Sequence, residues 1–186
     1  DTYPDGENLM GELQALLRRN GQAPARIHTR YSPDVSSGAP SSLAVIKALD
    51  DALIRLRSEQ IDLLQLQWWQ LDTPGWLDVY GWLSEQQHTG KIAQLGLSNF
   101  PISALQTILA MGLPVASNQV QISLVDQRAL GAMRDLCLAN DVSLLAYGPL
   151  SGGNLTALKP DPATIDPPVD YSQEYRLMAD LFGGWD

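Results

Sequence analysis

Short apolar runs alternate with longer amphipathic ones along most of the chain, and this alternation constrains the fold more than any other feature. Ile27 to Tyr31, Ile61 to Gln67, Lys91 to Leu97, Val115 to Gln121 and Val142 to Gly148 read as strands. The segments between them carry apolar residues at three- and four-residue spacing, which is the helical period. Helices are predicted at about Glu7 to Arg19, Leu43 to Arg57, Leu77 to Gln87, Ile102 to Met111 and Leu130 to Ala139. In the first of these, Leu9, Met10, Leu13, Leu16 and Leu17 recur as an apolar face. Asn20-Gly21 stops it, because these residues tolerate the left-handed conformation at a helix end. Ser41 or Ser42 caps the second helix, while Gly112 and Asn140 end the fourth and fifth. Strand–helix alternation with connections of this size requires parallel pairing and right-handed crossovers. The class is therefore α/β, with about five complete strands.

Composition excludes several functions. Of 186 residues, 45% are hydrophobic, enough for one sizeable core. The net charge of −9 gives a surface that repels a phosphate backbone, so nucleic-acid binding is not expected. No apolar run approaches the ~18 residues of a membrane span, so a soluble protein is expected, of the cytoplasm or of an organelle lumen or stroma. No secretory signal opens the chain at Asp1. The lone Cys137 excludes an internal disulfide and a cysteine-rich zinc site, and it reads as a buried, inert thiol. No metal site is expected: Asp50 and Asp51 are adjacent on a helix and point in different directions. After Pro149 the character changes. Residues 151–186 read as a Pro/Gly-rich loop, with four prolines between Pro160 and Pro168, followed by a terminal helix over Tyr171 to Phe182.

From Ile61 onward, four motifs stand in order: Ile61-Asp62-Leu63-Leu64; Gly90-Lys91-Ile92 leading into Gly96-Leu97-Ser98-Asn99-Phe100; Asn118-Gln119-Val120; and Ala146-Tyr147-Gly148-Pro149-Leu150. In their order and spacing they resemble the aldo-keto reductases, and Trp68-Trp69, Pro74-Gly75 and Gly183-Gly184-Trp185 resemble a bacterial and plant-type branch of them. The likeness extends back to Asp1-Thr2, where the second strand of that family's barrel ends. It implies a partial or truncated (β/α)8 TIM barrel with parallel strands, in which residues 1–150 form the core from about strand two to strand seven.

The resemblance implies hydride transfer from NADPH to a carbonyl, with a tyrosine, a lysine, an aspartate and a histidine around the reacting oxygen. Asp1 matches the aspartate. Arg30 stands at the lysine position and Gln67 at the histidine position. Arginine is a planar fork, not a compact ammonium, and glutamine carries no titratable proton. The tyrosine is missing: Tyr3-Pro4-Asp5-Gly6 places Asp5 before the glycine. By the same resemblance Ser98, Asn99 and Gln119 would hydrogen-bond the nicotinamide carboxamide, and Tyr147 would stack on its ring. Structural roles compete with these: Ser-Asn after a strand makes a good turn, and an aromatic at a strand end is often core. No basic cluster follows Leu150, so no cofactor, or only a weakly held NADP, is expected. His28, two residues before Arg30 on one face, reads as a core histidine, and His88 as a solvated cation at a helix end. Glu85, Gln86 and Gln87 read as a solvated face. Trp68, Trp69, Trp76 and Trp82 read as either packing or a pocket wall.

Three functions are compatible with these residues. The first is a pseudoenzyme that serves as a structural or assembly subunit. The second is an NADP-dependent oxidoreductase reducing a small carbonyl compound. The third is a non-redox enzyme reusing the barrel mouth through Asp1, Asp5 and Arg30. A partial barrel leaves strand edges with unpaired backbone groups, so another protein chain, or further residues of the same protein, is expected to cover them.

Overall fold

The structure, a computed structural model, describes residues 5–151. The Pro-rich stretch, the predicted helix at Tyr171 to Phe182 and Asp1 lie outside the described residues. Five strands, β1 (His28–Tyr31), β2 (Ile61–Gln67), β3 (Ile92–Ser98), β4 (Ser117–Gln121) and β5 (Ser143–Tyr147), form one sheet in the order β1-β2-β3-β4-β5, every pair parallel. The helices are α1 (Gly6–Arg19), α2 (Ser42–Leu56), α3 (Trp76–His88), α4 (Ile102–Ala110) and α5 (Ala132–Ala139). Sequential parallel strands joined by crossover helices form a partial (β/α)8 barrel. A 3-10 turn at Arg128–Leu130 precedes α5, so the predicted fifth helix is split at Gly131. No helix among the described residues is long and apolar enough to cross a membrane.

The local signals act as expected at the helix ends. Gly21 takes φ 67°, and the Gly21 and Gln22 amides donate back to Arg18 and Leu17. Ser41 is the residue that caps α2, its hydroxyl accepting from the Ala44 amide at 3.3 Å.

Strand parity then divides the residues. Leu64, Leu66, Leu95 and Leu97 face the helices and are fully buried with Val79 and Leu83 of α3 and Leu105 and Ile108 of α4. Each such side chain contributes about 1.5–3 kcal/mol of burial. The inner face differs. His28 pairs with Leu63, Arg30 with Gln65, and Gln65 with Gly96. A further rung runs Gln67, Ser98, Gln119, Leu145 across four strands, and Gln121 pairs with Tyr147 beyond it. Parallel sheets usually carry apolar residues on both faces. This one carries glutamine and serine inside.

The first helix does not bury the face its periodicity suggests. Leu9 is 68% exposed, and Leu13 and Leu16 are exposed as well; Glu7, Gly11 and Gln14 are buried instead. The cause is close packing on α2. Glu7 pairs with Arg55 of α2, Gln14 exchanges two hydrogen bonds with the Ala25 backbone, and Gly11 lies against the Arg55 carbonyl. His28 is exposed, not core, because it stands on the inner face of an edge strand. Gln86 is buried and Gln87 donates to the Ala93 carbonyl at 3.0 Å, so only Glu85 of that trio is a solvated side chain.

Candidate functional site

The candidate site lies at the carboxyl ends of the strands. On β1, Arg30 extends past its register partner Gln65 and reaches the next rung. Its Nη1 donates to Gln67 Oε1 at 2.6 Å, and Gln67 is buried. Arg30 Nε is also buried and has no acceptor among the described residues. At the end of β3, Ser98 is 1% exposed and its Oγ has no partner among the described residues. Asn99 follows at φ 59°, a left-handed position asparagine tolerates, and its amide donates to the Gln119 carbonyl at 2.8 Å. That bond extends the β3–β4 ladder past the strand end and keeps Ser98 and Gln119 side by side. Gly96 allows the approach beneath: a Cβ there would lie 2.5 Å from Ser117 Oγ.

The residues singled out from the sequence therefore fall into two groups. Gln67, Ser98 and Gln119 share one rung, and Arg30 is hydrogen-bonded into it. Asn99 is exposed just past it, and Tyr147 is half-buried at the end of β5, two residues beyond the rung's Leu145.

Two supports of the site are not evident from sequence spacing. Asn118 points away from the inner face, into the helix layer. Its Nδ2 donates to the Phe100 carbonyl at 2.9 Å and its Oδ1 accepts from the Phe100 amide, holding the β3–α4 loop that carries Asn99. A wholly buried amide at an apolar parity position is the signal that marks it. The second support is the loop after β4. Asp126, 2% exposed, accepts from Arg128 Nε at 2.9 Å and Nη2 at 2.7 Å. The Arg128 guanidinium beside it holds the Asp126 carboxyl below the usual carboxylate range. Arg128 is itself raised, first by that hydrogen bond and least by the nearby Tyr147 phenol. Ser123 Oγ accepts from the Val125 and Asp126 amides and fixes the turn.

Other candidates resolve into packing. Trp76 meets Phe100 edge to face at 5.7 Å, Trp68 donates to the Thr73 carbonyl and is buried, and Trp69 is exposed. Asp50 and Asp51 pair with different lysines, Lys91 and Lys47. Cys137 is buried against Met133, and burial pushes its thiol up.

A parallel barrel with its polar side chains gathered at the carboxyl ends of its strands falls in the (β/α)8 class, where that face carries the ligand chemistry. Residues 1–181 match the aldo/keto reductase family, and the chain belongs to it. Flagellar radial spoke protein 5 of Chlamydomonas reinhardtii is 25% identical over 222 residues, covering 96% of this chain and 41% of that protein. The 6-dehydroglucose reductase of Novosphingobium aromaticivorans is 31% identical over 167 residues, covering 82% and 53%. An aldo-keto reductase of the silkworm Bombyx mori, solved with NADPH, superposes with a TM-score of 0.69 at 22% identity, over 87% of this chain and 52% of that one. This chain spans about half the length of the relatives it matches.

Proposed function

We propose that this chain is a non-catalytic aldo/keto reductase-fold protein that serves as a structural or assembly subunit. The carrying observation is the Arg30–Gln67 hydrogen bond. Carbonyl reduction needs a proton delivered to the oxygen as hydride arrives, and a cation that favours the resulting anion. Arg30 offers a planar fork of N–H donors in place of a compact ammonium, and Gln67 carries no titratable proton. Their side chains engage each other, at the positions where the family places the lysine and the histidine. The tyrosine position before Gly6 holds Asp5, which is exposed. A radial spoke protein among the relatives is consistent with a role inside an assembly, where another protein chain would be the partner.

The second reading, an NADP-dependent oxidoreductase for a small carbonyl compound, rests on Ser98. A buried hydroxyl without a partner is costly and marks a place for a hydrogen-bonding ligand. Ser98, Asn99 and Gln119 would hold the nicotinamide carboxamide there, and Tyr147 would pack on the ring. NADPH would supply the hydride.

One assay separates the two. NADPH oxidation at 340 nm is followed with a panel of aldehydes and ketones. The first reading expects no turnover above background, since removing a positioned proton donor costs about 10²–10⁴-fold. Turnover of about 1 s⁻¹ or faster, ordinary for an enzyme, would rule it out in favour of the second.

A further inference from the structure

The inner face of the sheet is short of negative charge. The chain has a net charge of −9, yet no described strand residue on that face is Asp or Glu. Two of its members, Arg30 and His28, stand two residues apart on β1 and present N–H donors to it. A cavity of about 330 Å³ opens against them, with Gln65 and Gln119 also on its wall. That volume lies at the lower end of ligand sites, roughly 300–1,000 Å³. Arg30 commits Nη1 to Gln67, which orients the guanidinium, and its buried Nε–H still lacks an acceptor. One carboxylate, Glu7, borders the cavity, but both its oxygens are engaged. Oε1 accepts from the Thr29 hydroxyl at 2.8 Å and Oε2 from Arg55 Nε at 2.8 Å. The rest of the wall includes Met10, Leu56 and Leu145, which are apolar.

We propose that this cavity binds a small aliphatic carboxylate. Its charged end lies on Arg30, where a planar fork and an anionic oxygen form strong hydrogen bonds. Its hydrocarbon body lies against the half-buried Met10 and Leu145. Inorganic phosphate would leave that apolar wall uncovered. The inference goes beyond the non-catalytic reading and is independent of it, since binding here requires no turnover and no nucleotide.

The test is calorimetric titration of the chain with butyrate at constant ionic strength, with n-butanol as the uncharged control. Saturable binding of butyrate and none of butanol is expected. Arg30→Met, which keeps the unbranched stem and removes the fork, is expected to weaken butyrate by at least about tenfold. Gln119→Glu, an isosteric change that places a carboxylate on the wall, tests the same point if the first variant fails to fold; it should abolish binding. The proposal is overturned if the unmodified chain shows no saturable butyrate binding, or if either folded variant binds it as tightly. Phosphate competing as well as butyrate would overturn the aliphatic assignment.

Discussion

Asp126 shows how one side chain can hold a loop beside the site. Its carboxylate is nearly inaccessible, bridges the Arg128 backbone and guanidinium, and sits in a turn fixed by Ser123. Arg128 itself is largely solvated, so the ion pair is screened and contributes on the order of 1 kcal/mol. The sign of its pH dependence follows from the direction of the shift. The folded state holds Asp126 below its unfolded value of 3.8, so the unfolded chain binds the proton more readily. The contribution is therefore fully present above about pH 4 and is lost as pH falls through the lower native value. Asp126→Asn removes the titration. The gap in urea midpoint between the unmodified chain and this variant should be open at neutral pH and close in acid. A gap of constant size across that range would show that Asp126 contributes nothing through its charge. Arg30 and Gln67 were legible in the sequence because they stand at strand ends where a family pattern predicts other residues. Asn118 was not, although its motif was visible. Its task depends on facing the helix layer and meeting Phe100, a contact set by how β4 packs under the β3–α4 loop.

Among the elements, the strands and the span of the first helix were legible, and the face that helix buries was not. Each predicted strand overlaps an observed one because alternation fixes a strand internally. The buried face of a helix is set by its neighbour. The leucines of α1 recur at helical spacing, yet the residue that decides its packing is Gly11. A Cβ built at Gly11 would lie 2.0 Å from the Arg55 carbonyl oxygen, a backbone atom that cannot swing away. Two effects oppose each other in Gly11→Ala. Helix propensity favours alanine by about 0.8–1.0 kcal/mol. The clash forces α1 off α2, strains the Glu7–Arg55 pair and costs typically about 1–3 kcal/mol, the usual price of overpacking. The clash should win, because the contact is far inside van der Waals distance. The expected result is a net loss of stability in urea or thermal unfolding, with the α1 amides exchanging faster than those of β2 and β3. A stabilised variant would mean that α1 and α2 pack less closely than described.

Across the whole molecule, charge is sorted by face. An acidic chain with 21 Asp and Glu against 12 Lys and Arg encloses an inner sheet face whose polar residues are neutral or basic. This bears on how a dinucleotide would meet it. A nucleotide phosphate site built from several basic side chains binds more weakly as salt rises, because screening removes its attraction. Here the nicotinamide end has candidate partners in Ser98, Asn99, Gln119 and Tyr147. The long-range field of a net charge of −9 opposes the anionic phosphates. Raising salt from about 0.01 M to about 0.15 M shortens the Debye length from roughly 30 Å to 8 Å and removes most of that repulsion. NADPH affinity, followed by the cofactor's fluorescence, should therefore be weak at low salt and rise or hold steady as salt is added. Micromolar binding that falls steeply with salt would require a basic phosphate cradle, and would move this chain from the non-catalytic reading to the oxidoreductase one.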